Sequence, residues 1–361
     1  MSFTILRRTF NYDFIKLCRY AYILSFLLFV ISIIAIFVRG GIPLGVDFQG
    51  GAFIQFAMES PVSAQEVRSA LEKTAIKDIV IQSIGSENKE YSVRFANEDI
   101  EGSATEIVLR SLQEAFPDIP VTIELSETVG SKVSSDIRDK ALEGLYYALL
   151  IIAIYISGRF EDKWGVPIVI TLALFLLFIL FAKFSIPLLY ATPLLLIVTI
   201  ALFIFGRLAF ALGTIFSLLH DVLLTSGLLI VCGISFDLSI IAGLLAILGY
   251  SLNDTIIVYD RIREYVKNEE VVDVSQLRSV INKSITSTLS RTILTSITTL
   301  LVLLSLLFLG GNLLFPFALT ITIGICIGTL SSIFIASPIL LLFGIKKEDK
   351  TPIIIDHNGV V

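Results

Sequence analysis

Apolar residues in this chain come in runs of about 20, the length that crosses a bilayer as a helix. They recur at 20–38, 141–158, 164–182, 184–205, 208–232, 238–259, 291–309 and 314–343, which predicts about eight spans. Between the first two runs the pattern changes. AFIQFAM (52–58), DIVIQSI (78–84), YSVRFA (91–96) and VTIELSE (121–127) read as strands, SAQEVRSALEKTA (63–75) and TEIVLRSLQEAF (105–116) as amphipathic helices. The order β-α-β-β-α-β is that of the ferredoxin-like, split-βαβ arrangement. The charged stretch 266–290 reads as a short amphipathic helix lying at the cytoplasmic surface, and the tail from Lys346 to Val361 as disordered.

Composition sharpens this picture. The chain is 55% hydrophobic and 16% charged, with a mean hydropathy of +0.87. The expected fold is an α-helical polytopic membrane protein with one extracytoplasmic α+β ferredoxin-like domain. The net charge is −5, and about half of the acidic residues lie in 40–140, so one water-facing domain carries the excess. A nucleic-acid partner is not expected. Arg7, Arg8, Lys16, Arg19, Arg159, Lys163, Arg207, the 261–291 loop, Lys346, Lys347 and Lys350 fall on one side of the predicted spans, and only Arg39 and Lys183 in the short turns of the other. The positive-inside rule then places both termini in the cytoplasm and residues 40–140 outside. The first run has no small-residue cleavage site after it and reads as an uncleaved helix. The organisation expected is 1–39 (cytoplasmic N-terminus and first span), 40–140 (outer domain), 141–343 (bundle) and 344–361 (cytoplasmic tail).

Ionisable groups inside spans cost roughly 2.5–3.5 kcal/mol each at the bilayer centre, so each requires a reason. Asp221, beside His220, is near the middle of its span, with Ser217 and Thr225 on the same helical face; an acid bonded to either hydroxyl suffices structurally. Asp254 is six residues, about 9 Å, inside the Asp260–Glu264 cluster. Arg291 opens the next span within a stripe of Ser284, Ser287, Thr288, Thr295 and Thr298, at a depth where it can pair with Asp254. An arginine that approaches and leaves a carboxylate in low dielectric can couple movement to proton uptake. Equally, Asp254 can be an interfacial residue bonded to a loop amide, and Arg291 a positive-inside anchor. His220 reads as a packed neutral histidine, Asp237 as solvated, and Asp47, in GVDFQGG (45–51), as a hinge residue capping local amides. Gly324, Gly328, Ser332 and Ala336 form a small-residue face for close helix packing, as do Gly243, Ala246 and Gly249. Cys18, Cys232 and Cys326 read as packed thiols. No phosphate loop, nucleophile elbow or zinc signature is present, two histidines make a metal site improbable, and no cofactor is expected.

GVDFQGG, ETVGSKVS (127–134), LLHDVLLT (218–225), GYSLNDTIIVYDRIRE (249–264), TLSRTILTSITTLL (288–301) and GTLSSIFIASP (328–338) together closely resemble the SecF family of bacterial protein-export membrane proteins, within the resistance-nodulation-division superfamily. The resemblance covers about 40–343. It implies an accessory subunit in the cytoplasmic membrane that works with SecD, the SecYEG channel and YajC, using the proton-motive force to promote translocation of a polypeptide. It implies proton-conducting roles for Asp254 and Arg291, a related role for Asp221, and an orienting role for Asn253. One departure stands out: Arg159-Phe160-Glu161 and Phe210-Ala211-Leu212-Gly213, nearly contiguous in the family, are about 48 residues apart here. The intervening apolar sequence predicts an inserted hairpin at about 164–205; Pro167, Pro187 and Pro193 leave a kinked or re-entrant pair open. A stand-alone proton-coupled exporter of small solutes and a non-transporting assembly scaffold are the competing readings.

Overall fold

The structure, a computed structural model, describes residues 13–72, 79–84, 88–95, 104–161, 164–184, 188–268 and 274–343. The reading of the C-terminal tail falls outside them. A long helix, α1 (Phe14–Val38), leads through a short α2 (Val46–Gln49) into β1 (Gly51–Met58), α3 (Ala64–Leu71), β2 (Val80–Ile84), β3 (Glu90–Phe95), α4 (Ala104–Ala115) and β4 (Val121–Val129). The strands pair antiparallel in the order β2-β3-β1-β4. Alternation sets the faces: Ala52, Ile54, Phe56 and Met58 of β1 turn towards Val67 and Leu71 of α3 and Val108 and Leu112 of α4. Ser63 and Glu66 close a capping box at the start of α3. The Ser63 backbone and side-chain hydrogen bonds hold the Glu66 carboxyl below its ordinary range.

Only Gly130 separates β4 from the bundle, which comprises α5 (Ser131–Glu161), α6 (Gly165–Lys183), α7 (Leu188–Phe205), α8 (Ala209–Cys232), α9 (Leu238–Asn268), α10 (Val274–Leu309), α11 (Gly311–Ser331) and α12 (Ser337–Phe343). A π-helical turn, Ser332–Ala336, joins α11 to α12, so 311–343 runs as one widened rod. Among the described residues six helices are long and apolar enough to cross a membrane; two further apolar helices, 165–181 and 191–205, are shorter. The chain is a multi-pass membrane protein.

The segment 266–290 is not a separate surface helix. Helix α9 continues to Asn268, and α10 runs unbroken from Val274 through the apolar span. Leu277, Val280, Ile281 and Ile285 recur at helical spacing and are buried against Phe14, Tyr259 and Ile262. The start of α10 is also tied to the start of α1: Asp13 caps α1, pairs with Arg278 at 2.6 Å and accepts from Asn282. Partial burial raises the Asp13 pKa, but the bonds from Asn282 and Arg278 outweigh it and hold the carboxyl low. Cys18 is buried as expected, whereas Cys232 and Cys326 are exposed rather than packed.

The two halves of the interrupted motif meet in space. Glu161 accepts from the Phe210 backbone N–H at 2.8 Å, and the rings of Phe160 and Phe210 stack 5.4 Å apart. Tyr259 packs edge-on against both rings and donates to the Ala336 carbonyl in the π-helical turn. A Cβ at Gly213 would strike the Tyr259 hydroxyl, which explains the glycine of the FALG stretch. Arg159 adds an ion pair to Asp260 at 3.2 Å. Helices α6 and α7 therefore leave and rejoin a closed junction. They pack on the flank of α5 through Tyr146, Leu150, Leu174, Phe178 and Leu195, with a Tyr146–Thr199 hydrogen bond.

Candidate functional site

Two buried carboxylates lie close together in the bundle, and their surroundings are opposite. Helices α9 and α11 run parallel in tight contact because Gly324 and Gly328 admit Ile247 and Ser251. Helix α8 packs across both. Asp221, on α8, is wholly buried. Its Oδ2 accepts from Ser251 of α9 at 2.6 Å and from Ser331 of α11 at 2.8 Å. Its Oδ1 lies 3.0 Å from His220 Nδ1, and His220 Nε2 lies 2.8 Å from the Ser25 hydroxyl of α1. Ser217 donates to Ser331, which leaves the Ser331 hydrogen for Asp221. Three side chains thus bond Asp221 directly, and Ser217 and Ser25 join through Ser331 and His220, so four helices meet in one network. His220 also meets the edge of Phe29 and, with Ser25 and Ser331, lines a groove of about 340 Å³ between α1, α8 and α11.

Asp254, one turn along α9 from Ser251, is equally buried, yet neither of its oxygens has a hydrogen-bond partner. The Tyr250–Ser296 hydrogen bond fixes the antiparallel register of α9 and α10, so Asp254 is level with Thr292, whose buried hydroxyl also lacks a partner. Arg291, the neighbour of Thr292, is exposed and forms no hydrogen bond with Asp254. An unpaired carboxylate away from water is the costly state that charge neutralisation relieves, by a proton or by an approaching cation.

The structure therefore keeps the expected residues together but changes several contacts. Asp254 and Arg291 are on adjacent helices without a direct pair. Asn253 is exposed and does not bond the Asp254 carboxylate, so an orienting contact is absent. The hydroxyl partners of Asp221 are Ser251 and Ser331; Ser217 acts through Ser331, and the buried Thr225 hydroxyl has no partner. His220 is bonded at both nitrogens rather than merely packed. The α10 stripe splits, with Ser284 and Thr288 buried and Ser287, Arg291 and Thr298 exposed. Asp47 does not cap local amides, and Asp237 is not simply solvated: both accept from backbone N–H groups in the first turn of α9. Ser25, Ser251, Ser331 and Tyr259 escaped sequence reasoning, since lone hydroxyls in apolar runs usually bond back to their own helix, as Ser32 does to the Leu28 carbonyl.

The family described as "Protein export membrane protein SecD/SecF, C-terminal" matches residues 108–192 and 186–346. The chain is 35% identical over 343 residues to the protein translocase subunit SecF of Calditerrivibrio nitroreducens, covering 94% of this chain and 96% of that protein. It is 33% identical over 340 residues to the SecF subunit of Pseudomonas aeruginosa, covering 94% of each. A crystal structure of SecDF, a translocon-associated membrane protein from Thermus thermophilus, superposes with a TM-score of 0.69 at 29% identity. That match covers 92% of this chain and 38% of the SecDF chain.

Proposed function

The chain belongs to the SecD/SecF family of protein-export membrane proteins and is a SecF-type accessory subunit of Sec protein export; from that premise we propose that proton uptake at Asp254 drives its part in translocation. The observation that carries this reading is the buried, partnerless carboxylate of Asp254 on a membrane-spanning helix. Protonated, it costs far less in this packed interior than the ionised form does. Ionised, it requires a cation, and Arg291 on α10 is the nearby candidate. Alternation between the two states shifts α9 against α10. Asp221 and its serine cage hold the adjacent helices in register and place a second acid one turn away. Asn253 acts from the exposed side.

The surface of α9 and α10 supports association with SecD. Ala242, Ala246, Gly249 and Asn253 form an exposed small-residue stripe on α9, and a Cβ at Gly249 meets only open space. Ser287, Arg291 and Thr298 are exposed beside it on α10. An arginine and hydroxyls facing lipid are expensive, whereas a second helical subunit would cover them and pack closely on the glycine. The 38% share of the SecDF chain that this protein matches leaves room for such a partner, and disfavours a self-sufficient solute exporter. The absence of an Asp254–Arg291 ion pair speaks against a scaffold locked by that pair.

In this reading the protein resides in the cytoplasmic membrane, with both termini cytoplasmic and 40–140 outside as a ferredoxin-like domain that works with SecYEG, YajC and the emerging polypeptide. Helices α6 and α7, of 19 and 18 residues, are about 28 and 27 Å long and complete eight spans. The experiment is proton-driven export in membrane vesicles. Asp254→Asn and Arg291→Ala each abolish the stimulation by the proton-motive force while the protein inserts normally. Full stimulation in both variants would sink the assignment.

A further inference from the structure

The chain enters the sheet domain through the 39–50 connector from α1 into β1 and leaves it through the single residue Gly130 between β4 and α5. The connector is also held by contacts with the α8–α9 turn, which is remote from it in sequence. Gly45 N–H donates to the Phe236 carbonyl at 2.5 Å, and Phe236 N–H donates to the Pro43 carbonyl at 2.7 Å, so Leu44 and Phe236 pair as a parallel β-bridge. A side chain at Gly45 would press on the Phe236 carbonyl, which accounts for that glycine. Asp47 Oδ2 accepts from Leu238 N–H at 2.9 Å, and Asp237 Oδ1 accepts from Ile240 N–H at 3.0 Å. Two carboxylates thus occupy the free amides of the first turn of α9, where the helix dipole favours negative charge. From the sheet itself, Arg94 donates to the Ser235 hydroxyl at 2.7 Å, its guanidinium lying over Phe53. Below the connector, Phe48 packs with Phe236, Ile240 and Leu244, and also with Ile137 and Ala141 of α5, where Ser134 donates to the Val46 carbonyl at 3.2 Å.

We propose that these contacts form a latch that makes α9 move with the sheet domain, and that Asp47 and Arg94 are its positioning residues. The proposal rests on the reading of Asp254 as the proton-carrying acid and adds how that acid communicates with the outer domain. Backbone pairing at Leu44 and Phe236 prevents sliding. The Asp47 carboxylate holds the helix end itself, and Arg94 ties the sheet to the turn, so the 42–50 connector has no slack to absorb a tilt. Helix α9 carries no proline and is 31 residues long. It transmits displacement as a rod over the roughly 24 Å between Leu238 and Asp254. The start of α5, joined to the sheet through Gly130 and to the connector by the Ser134–Val46 hydrogen bond, is the pivot. A tilt of the sheet therefore moves α9 relative to α5, and proton uptake at Asp254 moves the sheet in return.

The test uses the full chain in its membrane, with Cys18, Cys232 and Cys326 replaced by serine and export measured in vesicles. Asp47→Ala combined with Arg94→Ala lowers export at least tenfold at unchanged membrane abundance. Asp47→Asn, which keeps an acceptor oxygen for Leu238 N–H, stays within about threefold of the parent. Leu44→Cys with Phe236→Cys, oxidised to a disulfide, leaves export intact when Asp47 and Arg94 are present and restores it in the double alanine variant. A purely local structural role of Asp47 would show no such rescue. Normal export in the double alanine variant, or arrest by the disulfide alone, would overturn the latch. Asp254→Asn loses export with unchanged 44–236 cross-linking. If Asp254→Asn exports normally, the proton reading fails while the disulfide rescue still reports on the latch.

Discussion

Asp221 and Asp254 are both wholly buried acids in the same helix bundle, yet one has a donor on each oxygen and the other has none. The difference separates two uses of a carboxylate in a membrane. Asp221 holds α1, α8, α9 and α11 in one arrangement through His220, Ser25, Ser251, Ser331 and Ser217, and any displacement of a helix breaks a bond. Asp254 makes no bond that would be lost on moving. Its free energy depends on its charge, and in the function proposed above a proton or a cation decides which arrangement of α9 and α10 is preferred. A proton-driven element needs both: a fixed reference and an acid whose state is cheap to change.

The largest expected effect on stability is therefore at the cage. Asp221→Ala removes the acceptor for three donors. At about 0.6 kcal/mol for each hydrogen bond in a membrane bundle, plus the cost of leaving His220 without its partner, the loss is about 2–3 kcal/mol. Unfolding in mixed micelles measures it. A loss below about 0.5 kcal/mol would mean that the cage does not hold the helices, and the contrast with Asp254 would disappear.

Next come the serines, which test whether the cage acts as a unit. Ser251→Ala and Ser331→Ala each cost about 0.6–1 kcal/mol in the same assay. Their double variant costs less than the sum, because both bond the same Asp221 oxygen. Strict additivity would show two independent contacts rather than a shared acceptor.

How much of this was legible from residues follows from the distances involved. Six of the eight expected spans and the βαββαβ order are readable because they rest on local periodicity, which α3, α4 and the alternating strand β1 obey closely, whereas the runs at 164–182 and 184–205 form shorter apolar helices. Asp254, Arg291 and Asp221 stood out because charge inside an apolar run is rare. The cage was not readable. Its serines lie 30 and 110 residues from Asp221, and Ser25 lies 195 residues from His220, so no spacing rule connects them. The first half of α10 was misread for a different reason. Arg278, Asn282 and Lys283 give 274–290 the look of a short, separate surface helix, while Leu277, Val280, Ile281 and Ile285 are buried in the bundle as the start of α10. The partner of Asp47 is hidden for the same reason as the cage: it caps Leu238 N–H, 191 residues away, rather than local amides.

The smallest expected effect is at Asp254, and it sharpens the comparison most. No hydrogen bond is lost in Asp254→Asn, and an amide cannot ionise, so stability changes by no more than about 0.5 kcal/mol. Asp254→Leu replaces a partnerless polar group in a packed interior by an apolar one of similar size, and stability is unchanged or higher. Both variants nevertheless lose the stimulation of export by the proton-motive force. That pairing of intact stability with lost coupling is the signature of an acid kept for its protonation rather than for its contacts. A stability loss above about 1.5 kcal/mol in Asp254→Leu would show that Asp254 holds the bundle together as Asp221 does. The two acids would then be equivalent, and the coupling would have to be sought elsewhere in α9 and α10.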